Sequence, residues 1–166
     1  MPAVVVDSSV LISLAAGEQF DVLREFYAPI YVPPAVWDEV TSVQRPFGAT
    51  EARWARQAGW LLLRAPARLD RVRSLAMSLQ PGEIEALALA LELPDALLLI
   101  DDAQGRRAAS ALGLAYTGTL GVLLRAKAEG RLPALRPVLE LLQQRTTFWL
   151  SAAVRQAVLQ QAGEGR

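Results

Sequence analysis

Two short aliphatic runs end on aspartate. VVV at 4–6 runs into Asp7, and LLLI at 97–100 runs into Asp101 and Asp102. A run this short with no polar residue is apolar on both sides, so it reads as a strand buried on both faces. Such strands belong to the centre of a parallel sheet covered by helices. Three further short runs fit the same role: IYV before Pro33-Pro34, WLLL after Gly59, and LAYT before Gly118.

The segments between them read as helices. Ser8 or Ser9 caps VLISLAAG, with Gly17 closing it. A second helix is expected at about residues 18–27, and Pro34 suits the first turn of AVWDEV. Thr41 to Thr50, with Pro46 and Gly48, reads as a loop. EARWARQAG follows as a helix. LDRVRSLAMSL is expected to be helical, with Leu69, Val72, Leu75 and Leu79 on one stripe. PGEIEALALALEL, DAQGRRAASALG, LGVLLRAKAEG, LPALRPVLELLQQR and SAAVRQAVLQQAG complete the set, Pro137 falling early in its helix and Ser151 capping the last. Strand–helix alternation of this kind is an α/β sandwich around a parallel sheet. At 166 residues the chain suits one core. The expected division is a body at 1–150 and a C-terminal helix and tail at 151–166, with order failing only in the last residues, AGEGR.

Composition removes whole classes of chemistry. There is no cysteine and no histidine. Disulfides, thiolate sites, a Ser-His-Asp triad and most zinc sites drop out. Lys+Arg and Asp+Glu both total 17, and Lys127 is the only lysine. The balance argues against binding nucleic acid through a broad basic face, so any phosphate contact falls to local arginines. No apolar run reaches membrane-spanning length, and the N-terminus lacks the pattern of a signal peptide. A cytoplasmic location is expected.

The remaining candidates are acids. Asp7, Glu39, Glu83 and the pair Asp101-Asp102 all fall at strand ends or helix starts. In open α/β sheets ligands bind outside the carboxyl ends of strands. Carboxylates gathered there repel one another and need a cation between them. Oxygen donors without nitrogen or sulfur select Mg²⁺ or Mn²⁺. Asp7 ends a central strand, where a charge needs a partner. Glu39 lies beside the core face set by Val36 and Val40, whereas Asp38 points elsewhere. Glu83 lies in a first turn after Gly82, with Glu85 in reserve on another side. The choice between Asp101 and Asp102 stays open, one of them being equally suited to cap the next helix. Ser9 is a candidate to bond a carboxylate or phosphate. Arg106 or its neighbour Arg107 is a candidate to pair with the acids or receive a phosphate, and Thr119 to touch phosphate beside Gly118 and Gly121. Trp37, Trp54, Trp60 and Trp149 do not interleave with basic residues and read as core or dimer surface.

Taken in order, VVVDSSVLISL, YVPPAVWDEV, LQPGEIEALALALEL, LLIDDAQGRRAASALGLAYTGTLGVLLRAKAEG and FWLSAAV resemble the PIN-domain family. The nearest likeness is to a branch (DUF3368-like) related to the VapC-type toxin ribonucleases of toxin–antitoxin pairs. The resemblance spans about residues 4–154. It implies a three-layer α/β/α fold with a central parallel sheet. It also implies acids holding Mg²⁺ or Mn²⁺ to cleave single-stranded RNA, with Asp7, Glu39, Glu83 and Asp102 as the four acids, Asp101 preceding the last, and Ser9 beside the first. An antitoxin protein and a second copy of the chain are the implied partners. The expected activity is metal-dependent phosphodiester hydrolysis. The alternatives are a non-catalytic regulatory domain that keeps an acidic metal site and, among enzymes, a phosphatase acting on small substrates.

Overall fold

The aliphatic runs form five strands of three residues each: β1 (Val4–Val6), β2 (Ile30–Val32), β3 (Leu61–Leu63), β4 (Leu97–Leu99) and β5 (Ala115–Thr117). All neighbours are parallel, in the order β3-β2-β1-β4-β5. Val5 and Val6 on β1 and Leu98 and Leu99 on β4 are fully buried, as central strands covered on both faces require. At the edges, Leu63 and Tyr116 reach solvent. This computed structural model describes residues 2–75 and 77–165.

Among the described residues, ten helices flank the sheet: α1 (Ser8–Ala16), α2 (Asp21–Tyr27), α3 (Pro34–Val40), α4 (Ala49–Gln57), α5 (Asp70–Arg73), α6 (Pro81–Glu92), α7 (Ala103–Ala111), α8 (Thr119–Ala128), α9 (Arg136–Arg145) and α10 (Ala152–Gln161). The arrangement is a three-layer α/β/α fold. Val36 and Val40 on α3 are fully buried, and α3 packs against α6. Pro137 sits in the first turn of α9, where its missing N–H costs nothing. Ser151 caps α10 by accepting the Val154 N–H at 3.1 Å. Val158 and Leu159 of α10 are buried, and Glu164 beyond it accepts the Leu135 N–H at 2.6 Å and the Arg136 N–H at 3.2 Å. The chain is therefore tied to the core as far as Glu164, where the sequence suggested loss of order; Arg166 lies outside the described residues.

Two other expectations need correction. The helix expected over LDRVRSLAMSL is the single turn α5; Ala76 lies outside the described residues. Ser74 donates to the Arg71 carbonyl at 2.8 Å as the helix ends, a local bond that competes with helix continuation. Leu69, Leu75 and Leu79 still pack on the core, so the apolar stripe is satisfied without helical backbone. Ser8 and Ser9 do not cap α1, whose cap position is Asp7 with no side-chain cap bond. Both serine hydroxyls turn toward acids.

The topology sets the place of the site. β1 is followed in sequence by β2 on one side, whereas its other neighbour, β4, comes late in the chain. Strand order reverses between β1 and β4, which opens a crevice at their carboxyl ends. Asp7 and Asp101 leave the sheet there, and the Asp7 N–H still donates to the Leu99 carbonyl at 2.9 Å.

Candidate functional site

Four helix N-termini gather at that crevice. Asp7 occupies the cap position of α1 and Asp102 that of α7. Glu83 lies in the first turn of α6. The Thr119 N–H at the start of α8 donates to Asp101 Oδ1 at 2.7 Å. Helix N-termini carry partial positive charge, which makes room for carboxylates that would otherwise repel.

The acids are close enough to perturb one another. Burial pushes the Asp7 carboxyl up to about 7, and the charges of Glu39 and Asp101 push the same way against a bond from the Ser8 N–H. Burial also raises Glu83 to about 7, with further upward contributions from Asp102 and Asp7. Burial favours the neutral form of Asp102 too, but its hydrogen bonds with Glu83, Gly105 and Gln104 outweigh this and hold it below the ordinary range. Glu83 and Asp102 thus separate into a proton-holding and an ionised partner.

Asp7 is 3% exposed and Glu83 7%. Asp7 Oδ1 and Glu83 Oε2 are buried and receive no hydrogen bond from a donor of the chain; Glu83 can bond Asp102 only by holding a proton. The other buried polar atom without a partner among the described side chains, Trp60 Nε1, lies just before β3 and away from the crevice. A buried unpaired carboxylate oxygen is costly, so two facing one crevice call for a proton or a cation. Backbone lies close by. A Cβ added at Gly82 would sit 3.5 Å from Glu39 Oε2 and 3.6 Å from Asp7 Oδ1, and one at Gly105 would sit 3.3 Å from Glu83 Oε2.

The remaining oxygens have donors from the chain itself. The Ser8 hydroxyl donates to Glu39 Oε2 at 2.8 Å, and Ser9 to Asp7 Oδ2 at 3.4 Å. Arg45 Nη2 donates to Glu39 Oε1 at 2.8 Å. Asp101 is held twice by Thr119, through N–H and through Oγ1 at 2.7 Å. Asp102 Oδ2 accepts the Gly105 N–H at 2.9 Å and so caps α7. Glu83 Oε1 accepts the Gln80 N–H at 2.8 Å, one half of a capping box. Among the described residues, no group of three or more acids is arranged so that it could hold a metal ion as it stands. The five acids expected to form a metal centre therefore share a crevice but are not arranged as a set of ligands. Two unpartnered oxygens, hard donors and mutual repulsion nonetheless fit a hard divalent cation.

Several candidates play roles other than contact with substrate. Thr119 is fully buried and its donors are spent on Asp101. It supports the site from within. Arg106 gives Nε to the Ile100 carbonyl at 3.1 Å and lies over the Tyr116 ring. Glu85 accepts the Ala35 N–H at 3.1 Å and steadies the start of α3. Asp38 is exposed. Trp60 is core, whereas Trp54 and Trp149 are exposed. Ser8 and Arg45 are the contacts sequence reasoning passed over. A serine at a helix start has the pattern of a cap, and no spacing marks Arg45, which reaches Glu39 only because the loop after α3 turns back.

Among the described residues, no helix is long and apolar enough to cross a membrane. No curated protein matches the chain. A family model described as DUF3368: PIN domain matches residues 3–164. With that match running almost end to end over a parallel α/β/α fold, the chain belongs to the PIN-domain family.

Proposed function

We propose that this chain is a Mg²⁺- or Mn²⁺-dependent endoribonuclease that cleaves single-stranded RNA. The observation that carries the reading is the pair of buried, unpartnered oxygens, Asp7 Oδ1 and Glu83 Oε2, in the crevice at the strand-order reversal. Asp7, Glu83 and Asp102 would hold the ion, with Glu39 and Asp101 at its margin. Bound there, it would supply charge neutralisation for the phosphodiester and a more acidic water.

The protein's own part follows from its proton chemistry. Asp7 and Glu83 keep protons up to about pH 7, so loading the site displaces protons and is favoured at neutral to alkaline pH. Hydrolysis forms a P–O bond from water and breaks the bond to the leaving 3′ oxygen. Glu39 or Glu83, once ionised, orients that water and takes its proton. No histidine or lysine base is required. Thr119 and Ser9 fix the carboxylates of Asp101 and Asp7, which limits rearrangement during the reaction. The same reading makes the chain a cytoplasmic toxin of a toxin–antitoxin pair, acting as a homodimer and restrained by an antitoxin protein.

The test is cleavage of single-stranded RNA, structured RNA and DNA by purified protein with Mn²⁺ or Mg²⁺. We expect single-stranded RNA to be cut, and cutting to disappear with EDTA or in Asp7→Asn. A wild-type protein that binds Mn²⁺ and cleaves none of these substrates would replace this reading with a non-catalytic binding domain.

A further inference from the structure

Five acids at one crevice repel a polyanion, and the chain has no net charge to offset them. A strand entering such a site needs a local cation. Of the contacts suggested by sequence, Ser9 carries no charge, Thr119 is buried behind Asp101, Arg106 is committed to the Ile100 carbonyl and the Tyr116 face, and the exposed Arg107 lowers Asp102 by its charge. Among the described residues, one guanidinium is in an ion pair with an acid of the site. It is Arg45, whose Nη2 lies 2.8 Å from Glu39 Oε1.

Arg45 comes from outside. Its loop follows α3 and turns back through a bond from the Arg45 N–H to the Ser42 carbonyl at 3.0 Å. Its side chain is 48% exposed and that of Glu39 36%. An ion pair this exposed is weak and exchanges easily. One N–H of the guanidinium engages Glu39, leaving others of its planar fork to grip a phosphate. Glu39 would keep the Ser8 hydroxyl on its other oxygen when Arg45 leaves.

We propose that Arg45 is a phosphate-binding residue of the site. It rests on Glu39 while no strand is bound and turns its guanidinium to the phosphodiester when one enters. The assignment rests on the nuclease reading and adds a substrate contact to it.

The test is binding. A short fluorescein-labelled single-stranded RNA is titrated by anisotropy with Ca²⁺ as the hard cation, and its integrity is checked on a gel. Wild type, Arg45→Ala and Arg45→Lys are compared over a range of salt concentrations, and Mn²⁺ affinity is measured by calorimetry without RNA. Arg45→Ala should bind RNA several-fold more weakly, and its log–log salt slope should shrink by about 0.7, one single-strand phosphate contact. Arg45→Lys should keep the wild-type slope with part of the affinity lost. Mn²⁺ affinity should hold or rise in Arg45→Ala, because Glu39 Oε1 is freed. Unchanged RNA affinity and slope in Arg45→Ala would overturn the assignment. So would a parallel loss of Mn²⁺ binding, which would make Arg45 a positioning residue for Glu39. Wild-type protein that binds neither Mn²⁺ nor RNA would instead bring down the nuclease reading, and the assignment with it.

Discussion

Gly118 has φ −130° and ψ −169°, an extended backbone that any residue adopts. What excludes a side chain there is space. An added Cβ would run into the Arg106 guanidinium, sit 2.6 Å from Asp101 Oδ1 and 3.1 Å from the Ile100 carbonyl. Asp101 cannot yield easily, because Thr119 holds both its oxygens. Gly118→Ala should therefore destabilise the fold by about 1–3 kcal/mol, read as a lower urea midpoint at unchanged m-value. An unaltered midpoint would mean that Arg106 simply swings away. At this scale the sequence was informative about which acids come together and poor about what they touch. Asp7 and Glu39 were legible from strand ends and a core-face spacing. Their partners Ser8 and Arg45 were not, since a hydroxyl at a helix start looks like a cap and a loop arginine looks like surface.

Glu83 does two jobs for α6. Its Oε1 accepts the Gln80 N–H as part of the helix start, and its Oε2 faces the crevice without a partner. The two uses separate by substitution. Glu83→Gln keeps an acceptor for the capping box and removes the charge, so thermal stability should stay near wild type while metal-dependent cleavage is lost. Glu83→Ala should lose both, with about 1 kcal/mol of stability gone with the cap. Full activity in Glu83→Gln would remove Glu83 from the chemistry. The choice between capping and site chemistry was left open by the sequence because one residue serves both. The α5 segment shows the converse limit. Its apolar stripe packs on the core, but periodicity reports burial, and Leu69, Leu75 and Leu79 reach that burial outside the helical turn.

The sheet was legible throughout the chain because its strands are apolar runs bounded by turn residues, and the strand-order reversal then determines where acids meet. How closely they meet is a tertiary property, set by loops such as the one carrying Arg45. The gathering has a consequence for the whole molecule. Asp7 is raised from 3.8 to about 7 in the fold. The folded state then binds more protons than the unfolded chain between those values, so metal-free stability must fall as pH rises through that window. The limit for Asp7 alone is about 1.4 kcal/mol per pH unit. Asp102 and Glu164 are shifted down; their contributions are lost only as pH falls into the acid range, outside this window. Denaturant melts in EDTA should show stability declining from about pH 5 to about pH 7.5, and Mn²⁺ at the alkaline end should restore it. A flat or rising profile in EDTA would show that Asp7 is not held neutral.

The central position of β1 also bears on how the protein is made. Val4–Val6 is made before the other four strands of its sheet, yet one of its two neighbours, Leu97–Leu99, comes some ninety residues later. Until then β1 has an open edge and a fully apolar surface, the kind of strand that pairs with the wrong chain. The crevice cannot exist during that interval, because Asp101, Asp102 and the helix starts beyond them are still missing. The acids can meet only after β4 and the starts of α7 and α8 have been made, so the crevice forms late, when the centre of the sheet closes.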